Sequence, residues 1–441
     1  MTAQTVGMCS LFSFKRLFLS AFCAVPVALV YNTENNRGIS MEEEVAAPAE
    51  GQEIQSEARL NYLESIGVIV GHGVGAGILS VPYLASRNPW WVTLLILLGA
   101  FAVNVLLHLM VAELSYRHNG AQFVQCLQRT ILKGKVGKVF TWIAFGLLGL
   151  SVILNCCSYI TGVATVFYNW FGLPLWAGML IYYVFAGLVV FFGMKAVGVS
   201  EKYCVFGLVA VMIVLFIATF TVGLNPLPVD FVHINNVLAL YGMVSFALSS
   251  VMSVPTVVKG SNGNKKQIRV SVILGTGINI TLVFLLTLIT ILACGQGVTT
   301  GGALVDLSGR IGGWVGVVGY VFTILALSTS LWANTLNLRD IIHEQFSKLP
   351  LRLCWVIVSL PCLAIALISL IPIFEASFVA FARVASVIQI ITNLAIVVAY
   401  GVTRRKFPDS PLLGKWGSIA FQILVITMAV VATVGSILKV Y

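Results

Sequence analysis

Charge is scarce in this sequence: Asp, Glu, Lys and Arg make up 10% of its 441 residues, against 59% hydrophobic ones. With a mean hydropathy of +0.98, that balance excludes a water-soluble globule. Signatures of nucleotide and hydrolytic chemistry are missing too. There is no GxxxxGK[ST] phosphate loop, no HExxH pair and no GxSxG elbow, so neither ATP-driven pumping nor hydrolysis has a visible site. The nine cysteines lack metal-type or disulfide-type spacing. Those in or beside apolar stretches (Cys126, Cys156, Cys157, Cys204, Cys294, Cys354 and Cys362) read as small packing residues. A formal net charge of +10 does not make a nucleic-acid surface, because the cations sit in short blocks between apolar runs and not along one helix face.

What remains is long apolar runs. A helix needs about 20 residues to cross a hydrocarbon core of roughly 30 Å. Eleven such segments follow residue 60, at about 62–85, 90–113, 138–168, 175–194, 203–224, 236–258, 270–294, 312–337, 353–372, 376–401 and 417–439. Their periodicity is helical or featureless, without the alternation of barrel strands, so the expected fold is an all-α integral membrane protein of eleven spans. The longest segment between spans is 114–137, which leaves no room for a soluble catalytic domain. Residues 1–58 read as a cytoplasmic tail. Its run from Leu17 to Val30 is too short to span, and Met41 is the expected true start.

The loops carry a sign. Those after spans 2, 4, 6, 8 and 10 hold eighteen cations, among them Arg117, Lys133, Lys195, Lys265, Arg339, Arg404 and Lys415; the opposite side holds Arg87, Arg310 and Lys439. The positive-inside rule then puts the N-terminus in the cytoplasm and the C-terminus outside a plasma or inner membrane.

Span 1 carries Gly67, Gly71, Gly73, Gly75 and Gly77, with Pro82 close behind. Each glycine weakens a helix by about 1 kcal/mol relative to Ala, so the helix should break near its middle. An unwound backbone at that depth is tolerated where it lines a cavity or lies buried in protein. The break therefore predicts a ligand site, in which the half-helix starting near Gly75, with Ala76 and Gly77, offers amides to an anion. Carbonyls of Val70, Gly71, His72 and Gly73 would face a cation or ammonium. The other reading of the cluster is a glycine face for close helix packing. Span 6 has its own interruption signals: Gly242, then Phe246 and Ala247, the pair Ser249 and Ser250, and Pro255. Breaks in spans 1 and 6 are what a five-plus-five inverted repeat predicts, with repeats at about 60–224 and 236–401 and an extra helix at 417–439. In span 8, Ser328, Thr329 and Ser330 can complete an oxygen shell for Na⁺ with span 1 carbonyls such as those of Gly67 and Val70, or bond back to their own helix. Tyr159 in span 3 is a candidate substrate contact. His72 either carries a coupling proton or forms a fixed hydrogen-bonding wall. Arg383 in span 10 either meets Glu375 or Asp306 as an outer gate or reaches the extracellular interface.

Gly75-Ala76-Gly77-Ile78-Leu79 followed by Pro82, Ser249-Ser250 ahead of Pro255, Gly263-Asn264-Lys265-Lys266, and Thr329-Ser330 followed by Leu338 and Asp340 together resemble the motifs of a known group. It is the amino acid/auxin permease and hydroxy/aromatic amino acid permease group of the amino acid–polyamine–organocation superfamily, and the resemblance covers roughly residues 60–440. It implies a LeuT-like inverted-repeat fold and uptake of a neutral amino acid, aromatic ones included, by Na⁺ or H⁺ symport with alternating access. Coupling ion and lipid are the only other partners implied, and the oligomeric state is left open. One departure concerns span 6, where Leu248-Ser249-Ser250-Val251 stands in place of the aromatic–His–Gly stretch usual in the aromatic permeases. The alternative function is an amino-acid-sensing receptor on the same scaffold; an integral-membrane enzyme lacks any constellation of acid, base or metal ligands.

Overall fold

A computed structural model describes residues 58–75, 77–229, 232–299, 302–371, 378–438 and 440, with the side chains of 378–391 and 437 left out of the description. The tail proposed for 1–58 lies outside these residues apart from its last one, as do Ala76, Glu375 and Lys439.

Every element described is helical. In chain order they are α1 (Tyr62–Gly73), α2 (Gly77–Ser86), α3 (Trp90–Arg117), α4 (Phe123–Thr130), α5 (Gly134–Phe171), α6 (Leu175–Phe191), α7 (Met194–Thr219) and α8 (Ile234–Ala247). There follow α9 (Val254–Gly260), α10 (Lys265–Cys294), α11 (Ala303–Ile311), α12 (Gly313–Gln345), α13 (Leu351–Ile368), α14 (Phe378–Lys406) and α15 (Ile419–Ile437). Eight of the spans so formed, with α8 to α9 taken as one, are long and apolar enough to cross a membrane, and the bent pair α1–α2 makes a ninth. Residues that would be buried in a soluble protein lie open, as at Phe185 and Phe192, each 73% exposed; a surface of this kind has lipid as its solvent. The chain is thus a multi-pass membrane protein.

Local chemistry sets the ends. Asn61 accepts from the amide of Glu64, and the Glu64 carboxylate accepts in return from the amide of Asn61; this reciprocal capping box starts α1. Glu64 also meets Lys195 at 2.6 Å. Asn264 caps α10 through the amide of Gln267. Gly172, at φ 67°, ends α5 in the left-handed conformation open to glycine. Of the cysteines, Cys126, Cys156, Cys157, Cys354 and Cys362 are buried and unbridged, consistent with packing.

Two helices run past the ends expected from hydropathy. α7 begins at Met194, not 203, so Lys195, Glu201 and Lys202 belong to the helix. α12 continues to Gln345 and takes in Arg339 and Asp340. A charge lowers local hydropathy without stopping a helix, and at α7 the start is set by Gly193 at φ 93°. Arg339 and Asp340 pair at 2.6 Å, and both side chains are buried.

α1 lies against α7, α10 and α12; α2 lies against α8 and α10; α12 also packs on α5 and α7. This arrangement puts both interruptions of the backbone inside the bundle.

Candidate functional site

α1 and α2 are bent by 58° at their junction. Helical bonding stops where the amide of Val74 reaches the Val70 carbonyl. The next amide, of Gly75, turns back to Gly73 O at 2.8 Å, with Val74 at φ −75° and ψ 69°, an inverse γ-turn. α2 then restarts at Gly77, two residues later than the glycine spacing suggested. The first amides of any helix have no intrahelical partner, so the start of α2 presents donors and the positive end of its dipole.

The second interruption comes where α8 ends at Ala247. Leu248–Ser250 are non-helical and a short 3₁₀ turn, Val251–Ser253, leads into α9. The two breaks are tied together. Ser250 Oγ donates to Ile69 O at 2.7 Å, not back to its own helix, and Asn279 Nδ2 from α10 reaches the same carbonyl at 3.3 Å. Gly77 lies so close to α8 that a methyl there would sit 2.9 Å from Phe246 Cδ1 and 3.1 Å from Ala247 Cα. Ser249 is partly buried beside Ser250.

From the other side α12 supplies hydroxyls. Ser330 Oγ donates to Gly71 O at 3.2 Å and lies 3.5 Å from His72 O. The Tyr159 hydroxyl of α5 is within hydrogen-bonding reach of Ser330 and Asn334. Thr329 behaves otherwise: its hydroxyl bonds back to Ala326 O at 2.9 Å, while its Cβ presses on Gly71.

The glycines divide by what they face. Gly67 and Gly71 allow α7 to touch the backbone of α1, since a methyl at Gly67 would meet Lys202 N at 2.9 Å and one at Gly71 would meet Thr329 Cβ at 2.9 Å and Glu201 Cγ at 3.2 Å. Gly73 faces Ser250 and Asn279. Gly75 alone among the five has room, with Ser330 Oγ at 3.2 Å and Tyr159 Oη at 4.0 Å as the only close neighbours of an added methyl. The close-packing reading therefore holds for most of these glycines, and Gly75, at the break, is the least crowded of them.

His72 is fixed. Its Nδ1 lies 2.6 Å from Ser253 Oγ, which also accepts from Asn337 Nδ2, while Asn337 Oδ1 accepts from Thr256 Oγ1. The direction of this chain leaves the Ser253 hydrogen for His72 Nδ1. A second histidine, His108 on α3, went unnoticed in the sequence. Its Nε2 accepts from the Ser250 amide at 3.0 Å, and its Nδ1 lies 3.1 Å from Thr276 Oγ1. Because an amide can only donate, the ring proton sits on Nδ1. His108, Asn279 and Ser253 were detectable as polar residues inside apolar runs; their neighbours in space were not.

Arg383 lies within α14, but its side chain, like Glu375, lies outside the described residues. Asp306, its other expected partner, accepts from the backbone and hydroxyl of Thr299, each at 2.8 Å.

The sequence profile of the tryptophan/tyrosine permease family matches residues 59–436. No curated protein sequence matches the chain. Solved structures resemble it in fold. MhsT in complex with L-phenylalanine superposes with a TM-score of 0.64 at 15% identity, covering 87% of this chain and all (100%) of that one. Mhp1, a nucleobase-cation-symport-1 family transporter with bromovinylhydantoin bound, gives 0.57 at 14%, covering 89% and 93%. The manganese transporter of Eremococcus coleocola, in complex with an aromatic bis-isothiourea compound, gives 0.59 at 13%, covering 87% and 89%. The first two are LeuT-fold transporters; at such identities the likeness speaks for the fold.

Proposed function

Since the chain belongs to the tryptophan/tyrosine permease family, we propose that it imports a neutral, aromatic amino acid across the plasma membrane by cation symport with alternating access. The observation that carries this reading is the meeting of two interrupted spans: the break between Gly73 and Gly77 is bound through Ile69 O to Ser250 of the second break. Such a meeting supports a five-plus-five inverted repeat with the substrate at its centre. In this reading the amides from Gly75 to Gly77 take the carboxylate. Carbonyls from Val70 to His72 and at Phe246 take the ammonium, and Tyr159, Ser249 and Ser250 border the side chain. Gly67, Val70, Thr329 and Ser330 surround the coupling ion, and Arg383 with Glu375 forms the outer gate. The basic loops support a cytoplasmic N-terminus and an external C-terminus.

Proteoliposome counterflow of labelled tryptophan, tyrosine and phenylalanine, competed by each of the other amino acids, tests the reading. Aromatic substrates should exchange and compete best. Binding without accumulation under any ion gradient would indicate a receptor. Gly77→Leu should abolish counterflow with membrane insertion intact, because the added side chain enters the space held by Phe246 and Ala247.

A further inference from the structure

α7 carries a buried acid that no part of the site so far employs. Glu201 is 0% exposed, and neither carboxyl oxygen has a hydrogen-bond partner among the described residues. Its Cγ and Cδ lie 3.2 and 3.3 Å from where a methyl on Gly71 would be, next to Thr329. It is therefore packed against the last turn of α1 before the break, one residue from the His72 carbonyl that faces Ser330. We propose that Glu201 is the proton carrier that couples transport to a pH gradient, an inference that rests on the reading of the chain as an amino acid symporter.

The chemistry is that of an unpaired acid in a dry place. An ionised carboxylate without donor or counter-ion costs far more to bury than the neutral acid. Among the described residues, the charged groups on the helices around Glu201 are engaged elsewhere or lie exposed. On α1, Glu64 holds Lys195 and His72 holds Ser253. On α12, Arg339 holds Asp340, His343 faces Leu349 O, and Glu344 accepts from Gln122. On α10, Arg269 binds the carbonyls of Pro411 and Leu412, Lys265 sits over Tyr116, and Lys266 is exposed. On α6, Tyr183 bonds Ser359 and Tyr182 lies near Ser328. On α7 itself, Lys202 turns onto the Tyr203 ring, and Cys204 is within electrostatic reach of Glu201.

Neither oxygen has a hydrogen-bond donor among the described residues, and a proton needs only one of them. In the state described here one carboxyl oxygen holds the proton and α1 lies flat on α7. Release of that proton to water on the opposite side leaves a carboxylate that must be hydrated. Water can reach it only if α1 lifts from α7 at Gly67 and Gly71. Each cycle then moves one proton with the substrate.

The test has two independent arms. In proteoliposomes, the ratio of pH-driven accumulation to counterflow should fall about tenfold or more in Glu201→Gln, the size of a lost coupling free energy, and recover in Glu201→Asp. An unchanged ratio, or wild-type accumulation that follows a Na⁺ gradient and ignores pH, overturns the proposal. In detergent, with no transport required, the infrared spectrum of wild type minus Glu201→Gln should show a protonated-carboxyl C=O band that shifts in D₂O; its absence also overturns it. Wild-type protein that shows the band but exchanges no amino acid refutes the substrate reading alone.

Discussion

At His118, just past the end of α3, both ring nitrogens are buried with no hydrogen-bond partner among the described residues. Burial first, then the charges of Arg129, Lys406 and Lys133, pull its pKa from 6.5 down to about 4. The folded protein therefore resists protonation that the unfolded chain accepts. This contribution to stability is complete above pH 6.5 and is lost as pH falls from there through about 4. Melting temperatures in detergent should drop across that window, and His118→Gln should flatten the decline. Asp409, on the same end of the bundle, acts in the same sense, its contribution also being lost as pH falls. The Arg117 guanidinium, 2.7 Å away, holds its carboxyl below the usual range, but the side chain is 78% exposed, so solvent screens most of the effect. Ser250 is a sharper test of the site. Ser250→Ala removes the 2.7 Å bond to Ile69 O and should cost about 1 kcal/mol of stability, read as a lower melting temperature together with a raised KM if the break must hold its shape to bind.

At the scale of elements, the segment after α14 is held by Arg117, Arg269 and one buried carboxylate. Glu113 of α3 accepts from Ser410 Oγ at 2.5 Å and from the amides of Leu412 and Leu413 at 3.3 and 3.2 Å. Glu113→Ala should strand these buried donors at about 1–3 kcal/mol each, and the 409–413 segment should become more accessible to proteolysis than in Glu113→Gln, which keeps an acceptor. The break in α1–α2 was legible because five glycines leave so few other ways to arrange a helix, and the break after α8 because Ser249-Ser250 precede Pro255. Two things escaped. Hydropathy ends a span at its first charge, which leaves Glu201 between the spans at 175–194 and 203–224, whereas Gly193 starts α7 ahead of it. The partners of Ser250 and Ser330 depend on which helices are neighbours, and no local pattern encodes that.

For the whole molecule, helix positions were readable because lipid demands long apolar runs, and family membership was readable from motifs clustered at the breaks. The choice of substrate was not, since the proposed site draws on side chains from α1, α5, α8 and α12, which no local pattern brings together. The orientation argued from loop charges predicts that a reporter fused at Tyr441 is active only outside the cell and one inserted at Lys415 only inside; the reverse would invert the direction assigned to transport.

The contact of α1 with α7 has one further consequence. Where most helix pairs interlock side chains that must unlatch before they separate, here Gly67 and Gly71 offer bare backbone. Such a seam has the geometry of a bearing, with no interdigitated side chain on the α1 side at these two positions. A single methyl, as in Gly71→Ala, would sit 3.2 Å from Glu201 Cγ of α7 and 2.9 Å from Thr329 Cβ of α12, and would keep the two surfaces from closing as they do.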